Sequence, residues 1–314
     1  MDRSEADRRT GIPLVALGAS LWGTDAVFRR GLALELPSAT VVMMEHLILA
    51  VLAVPFIARR RRAFYALTRG EWIALGVIGA GSSALATTLF TAAFRYGDPT
   101  TPLLLQKLQP LVAILGARLL LGERMLPRFV WFLGAGIAGA YLLAFPDPAA
   151  ATVAQVVPAL LAIGAAALWG MGTVLGRRLI STLDHWTLTA ARFLIGLPAS
   201  VVLMSTVDGW WGIAAIGWSE LRAVILLALV PGLLAILFYY AGLRATPASA
   251  ATIAELAFPV TAAGLNYVVF GTVLSPSQAV GGVLLVATIA MMSYLARSST
   301  ERLGVIAEPI PAVV

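Results

Sequence analysis

Ionisable side chains inside long apolar runs are few in this chain. A charge at bilayer depth costs about 2.5–3.5 kcal/mol or more, so these residues must face water, a ligand or a partner. Glu255 lies one turn before Pro259, where the missing N–H frees a backbone carbonyl and bends a helix. Its carboxylate suits an ammonium group or a proton; the alternative is a buried pair with Arg192. Gln106 and Pro110 repeat the spacing, so Pro110 and Pro259 are both expected to mark helix bends. Asp25, Glu45 and His46 form a second group. An imidazole there could titrate near neutral pH and gate a solute or protons, or simply hydrogen-bond between helices. Glu45 and Arg192 are a cavity charge or a structural pair.

Trp22 and Trp169 fall near mid-depth, away from the interface where membrane tryptophans usually settle. They offer flat walls to an apolar or aromatic group and a cation–π face to an ammonium, or ordinary packing against glycine-rich neighbours. Phe90 and Tyr239 supply a second aromatic pair. Tyr240 and Asn266 suit interhelical hydrogen bonding, and Gly172 with Gly176 suits a helix contact.

The elements that must position these residues follow from composition. The 314 residues are 60% hydrophobic and 12% charged, a balance that a water-exposed surface does not sustain. The apolar residues recur in blocks of roughly 20, the length of a membrane-spanning helix, and lack the alternation of a β-barrel. The expected spans are 13–33, 38–58, 71–94, 102–121, 128–146, 157–176, 186–206, 221–243, 248–270 and 276–296. The first block is too long for a signal-peptide core and is expected to be retained. With the N-terminus inside, the inner segments hold most arginines, Arg59 to Arg62 among them, whereas the outer ones hold Arg29, Arg30, Arg95 and Arg222. Both termini are therefore expected in the cytoplasm. The net charge of +6 comes from such short clusters, not from a continuous basic face, which argues against nucleic acid. The loop around Trp210, Trp211 and Trp218 suits an interfacial belt.

An internal comparison adds more. A shift of 147 residues superposes Leu21-Trp22-Gly23 on Leu168-Trp169-Gly170 and Glu45 on Arg192. A shift of 149 superposes Glu71 on Glu220, Phe90 on Tyr239, Gln106 on Glu255, Pro110 on Pro259, Gly122 on Gly271 and Pro127 on Pro276. Two five-span copies follow, at 13–148 and 157–296, flanked by tails 1–12 and 297–314. An odd number of spans inverts the second copy, a transporter signature. The fold class is thus an all-α membrane protein with ten transmembrane helices, as two inverted five-helix repeats around a central cavity.

The paired Leu-Trp-Gly segments, the Pro110 and Pro259 pair, and Leu-Leu-Leu-Gly-Glu at 119–123 resemble the EamA-type repeat of the drug/metabolite transporter superfamily. The second copy departs where Gly271-Thr272 replaces Gly122-Glu123. Within the superfamily the spacing is most similar to bacterial aromatic amino-acid exporters. That resemblance implies secondary-active or facilitative export of aromatic and other neutral amino acids across the inner membrane by alternating access. It also implies spans five and ten at the periphery. The alternative is export of other small metabolites or cationic drugs.

The rival classes fare worse. With only His46 and His185, no cysteine and no His-Glu-x-x-His, the chain offers little for metalloprotease or thiol chemistry, so no enzyme, metal or cofactor is expected. No run resembles a channel's selectivity filter. A sugar-phosphate carrier would need more buried cations than Lys107 and Arg192. The expected partners are a small-molecule substrate such as an amino acid, the lipid bilayer, and protons as a candidate coupling ion.

Overall fold

The computed structural model describes residues 3–96, 98–122, 129–149, 153–180, 182–243 and 254–302, with side chains from residue 11 onward except at 153–154, 293 and 296–302. Among the described residues there are ten apolar helices. We label them α1 (Gly11–Glu35), α2 (Ser38–Ala66), α3 (Arg69–Ala93), α4 (Thr100–Leu121), α5 (Phe129–Ala144), α6 (Gln155–Leu179), α7 (His185–Asp208), α8 (Trp218–Leu243), α9 (Ala257–Phe270) and α10 (Pro276–Met292). Seven of them are long and apolar enough to span a bilayer by their described residues alone, and α5, α9 and α10 are shorter. The chain is an all-helical, multi-pass membrane protein. Leu119 to Gly122 end α4, whereas Glu123, Arg124, Pro127 and Arg128 lie outside the described residues, as do Arg244 and the last twelve residues.

Packing follows the duplication. Helix α1 packs on α8 and α9, and its equivalent α6 packs on α3 and α4; α2 packs on α7 and α5 on α10. Exchanging the two halves maps this set of contacts onto itself, as a pseudo-two-fold axis requires. The close approaches rest on glycines, since apolar surfaces in lipid associate by van der Waals packing. A Cβ on Gly23 would stand 2.9 Å from the Phe258 carbonyl oxygen, and one on the equivalent Gly170 would stand 2.8 Å from that of Gln109. Phe258 and Gln109 are themselves repeat equivalents. Gly139 and Gly281 press α5 and α10 together: a Cβ on Gly281 would lie 2.6 Å from the carbonyl oxygen of Gly139.

Two of the irregular stretches also recur in pairs. In α3 a π-helical segment spans Ile78–Leu85, and in α8 one spans Ala228–Leu234. Pro231 lacks the N–H that a regular helix needs, which accounts for the second. The first contains no proline but includes Gly79 and Gly81. Helix α4 tightens to a 3₁₀ turn over Gln106–Leu108 before resuming at Gln109. The chain entering α9 turns at Glu255 and Leu256. At both places the residue before the proline closes the break, because proline cannot. The Gln109 amide donates to the Gln106 carbonyl, and the Phe258 amide donates to the Glu255 carbonyl at 3.1 Å. Pro110 and Pro259 therefore sit at interruptions of their spans. Gly122 and Gly271 end α4 and α9 at φ +69° and +64°, a left-handed conformation that side chains other than glycine rarely adopt.

One expectation fails. Arg29, counted above as an outer-segment topology signal, is only 3% exposed inside α1. Asp25, one turn earlier, and Glu45 on α2 neutralise it, so the guanidinium remains in the bundle.

Candidate functional site between the repeats

Trp22 and Trp169 each stand on an aromatic residue of the opposite repeat. Trp22 on α1 lies 4.9 Å between ring centroids from Tyr239 on α8. Its equivalent, Trp169 on α6, lies 5.1 Å from Phe90 on α3, edge to face. Phe90 in turn meets Phe94 at 5.0 Å. Phe90, Trp169 and Tyr239 are buried, whereas Trp22 is half-buried. Aromatic pairs at such distances gain about 0.5–1.5 kcal/mol beyond area burial, enough to fix the planes of both indoles.

The polar groups gather at the broken helices. The Tyr239 hydroxyl donates to Oε1 of Glu255 at 2.6 Å, which links the second aromatic pair to the α9 carboxylate. Gln106, the equivalent of Glu255, is half-buried at the α4 break. The neighbouring Lys107 places Nζ 3.9 Å from the ring centroid of Phe258, itself only 2% exposed. The alternative pairing of Glu255 with Arg192 is not what the geometry presents. Arg192 lies over the Phe193 ring at 5.3 Å instead.

A separate buried cluster joins the C-terminal half of α1, the N-terminal half of α2 and α3. Arg29 grips Asp25 through two nitrogens, at 2.6 and 2.8 Å, and reaches Glu45 at 3.1 Å and the Thr91 hydroxyl at 2.8 Å. Its guanidinium fork matches two carboxylates at once. His46 is 2% exposed, with Nδ1 2.9 Å from the Val42 carbonyl and Nε2 2.9 Å from the Ser83 hydroxyl. Both ring nitrogens are engaged by α2 and α3, the interhelical bonding weighed above for this residue. Asn266 on α9 donates to Thr100 on α4 at 3.0 Å, again a helix-to-helix bond.

The two repeats are also tied at one membrane face. Arg60 donates to Asp184 at 2.5 Å, and the Thr182 hydroxyl donates to Glu71 at 2.5 Å. Burial raises the pKa of Asp184, but its bonds from the Thr187 hydroxyl and amide and the nearby Arg60 charge outweigh this and hold the carboxyl below its usual range. That carboxylate also caps α7 by accepting from the Trp186 and Thr187 amides.

Sequence reasoning paired the tryptophans and placed Glu255 beside a bend; the structure brings Trp22, Tyr239 and Glu255 together and keeps His46 within α2–α3 bonding. It missed the inward turn of Arg29, and it weighed Lys107 only as a buried cation, without its contact to Phe258. The i,i+4 spacing of Asp25 and Arg29 signalled the first. The second is the one lysine in an arginine-rich chain, and it falls inside a span.

Residues 9–145 and 157–294 each match the model of the EamA-like transporter family. The chain is 30% identical over 296 residues to the riboflavin transporter ImpX of Fusobacterium nucleatum, covering 91% of this chain and 98% of that protein. It is 28% identical over 173 residues to the uncharacterized transporter YwfM of Bacillus subtilis, covering 54% of this chain and 57% of that one. A solved crystal structure aligns with TM-score 0.60 at 20% identity, covering 94% of this chain and 99% of its own, a likeness of fold alone.

Proposed function

This chain belongs to the EamA-like transporter family, and on that premise we propose that it moves a planar aromatic metabolite, of the riboflavin kind, across the bacterial inner membrane. It is a transporter of small molecules and not an enzyme. The observation that carries the finer reading is the pair of equivalent tryptophans, Trp22 and Trp169, each braced by an aromatic of the other repeat. Rigid indoles at matched depth suit a flat fused ring, which gains stacking area without losing torsional freedom. The relation to a riboflavin transporter points the same way. Phe90 and Tyr239 hold the walls; Gln106 and Glu255 face the polar edge of the solute. The breaks at Pro110 and Pro259 let α4 and α9 present free backbone groups at mid-span. Transport proceeds by rocking one repeat against the other, with both termini in the cytoplasm.

An amino acid is the second reading, favoured by Glu255, whose carboxylate suits an ammonium. None of the comparisons carries the amino-acid specificity that the resemblance implied. Flavin fluorescence separates the two readings: purified protein titrated into riboflavin is expected to quench it saturably, and excess phenylalanine should leave the quenching intact. Competition by phenylalanine with no flavin quenching would favour the amino acid.

A further inference from the structure

Lys107 differs from Arg29, the cation that two acids hold inside the bundle. The ion pairs among the described residues join Arg29 to Asp25, Arg29 to Glu45 and Arg60 to Asp184, and none includes it. No acceptor oxygen among the described residues takes a hydrogen bond from its ammonium. What it touches is the face of Phe258, with the ring centroid 3.9 Å away. Glu255 is the acid whose charge reaches it, yet the two do not close into an ion pair, and the Tyr239 hydroxyl holds that carboxylate instead. The position is not forced by the duplication: Lys107 is equivalent to Leu256, an apolar residue. Its setting is also interior, because the ring beneath it belongs to the buried cluster that includes Trp169, Ala19 and Ala262.

An ammonium at bilayer depth carries three donors and a desolvation cost that one cation–π contact offsets only in part. A permanent structural lysine would be matched to an acid, as Arg29 is. The unmatched donors call for an acceptor that comes and goes.

We infer that Lys107 is a substrate-recognition residue, whose ammonium takes a carbonyl or anionic oxygen of the solute while Glu255 and Tyr239 take its donor edge. The inference rests on the transport reading given above and narrows the solute class. The solute must present an acceptor and a donor side by side, next to an aromatic plane. The imide edge of a flavin ring has that chemistry, and so does the carboxylate and ammonium of an amino acid; one cation and one acid serve either.

Because the chain has no cysteine, Lys107→Cys gives a single thiol against no background. In liposomes this thiol should react with a small sulfonate-bearing thiosulfonate reagent, and the transported solute should slow that reaction. In counterflow, Lys107→Met should raise the riboflavin KM roughly tenfold, the scale of one lost charge-assisted hydrogen bond, and Lys107→Arg should restore much of it. The same measurements with phenylalanine separate the sources of the chemistry. If phenylalanine alone is carried and its KM rises in Lys107→Met, the planar-metabolite reading fails and the role of Lys107 stands. A thiol that resists the reagent, reacts without protection by either solute, or a KM unchanged in Lys107→Met overturns the inference.

Discussion

The hydroxyl of Tyr239 donates to Glu255 across 2.6 Å, joining the aromatic wall of α8 to the carboxylate beside the Pro259 break. A hydrogen bond to an ionised group contributes about 1.5–3 kcal/mol, and Tyr239→Phe removes this one without removing the ring. The variant is expected to keep the Trp22 contact and insert normally, yet to lose solute affinity by roughly tenfold or more. Unchanged affinity by fluorescence titration would show that Glu255 needs no such orientation.

The tryptophans should act on solute shape. Trp22→Ala and Trp169→Ala are each expected to raise the KM for a planar aromatic solute roughly three- to tenfold, the scale of one lost aromatic contact, while sparing a small solute. Equal losses for both solutes would assign the indoles to packing.

Arg29 is the structural cation. Arg29→Met leaves Asp25 and Glu45 buried without their partner, so a loss of about 3–5 kcal/mol is expected, seen as a large fall in melting temperature in detergent. Adding Asp25→Leu and Glu45→Met should recover most of it, because the unpaired charges are what destabilise. A single variant as stable as the parent would contradict the buried network.

The tie between Arg60 and Asp184 should respond to acid. Asp184 has a depressed pKa, so its contribution is present above the ordinary carboxylate value and is lost as pH falls through its folded value. Both partners are about half exposed, so the pair is worth at most about 1 kcal/mol. Asp184→Asn should therefore melt slightly lower than the parent near neutral pH, and the gap should close in strong acid. A gap that widens on acidification would reverse this assignment.

Much of the architecture was legible in the chain because lipid imposes length and polarity so strongly. The shifts of 147 and 149 residues found the repeat from matches such as Trp22, Glu71 and Pro110, and the helices that carry them pack equivalently in the fold. What the pattern hid were pairings set by side-chain reach. Periodicity cannot tell that Arg29 turns inward to Asp25 and Glu45, because an arginine near a span end reads as an interfacial charge. It also offered Arg192 and not Tyr239 as the partner of Glu255, since that choice depends on how far α7 and α8 stand from α9. The π-helical turn over Ile78–Leu85 has no proline to announce it, unlike its equivalent at Pro231.

Counterflow into liposomes holding the purified, full-length chain tests the central claim most directly. Vesicles preloaded with unlabelled riboflavin are expected to accumulate labelled riboflavin transiently above its equilibrium level, whereas preloading with phenylalanine should produce no such overshoot. An overshoot of labelled phenylalanine in phenylalanine-loaded vesicles, with none for riboflavin, would contradict the account.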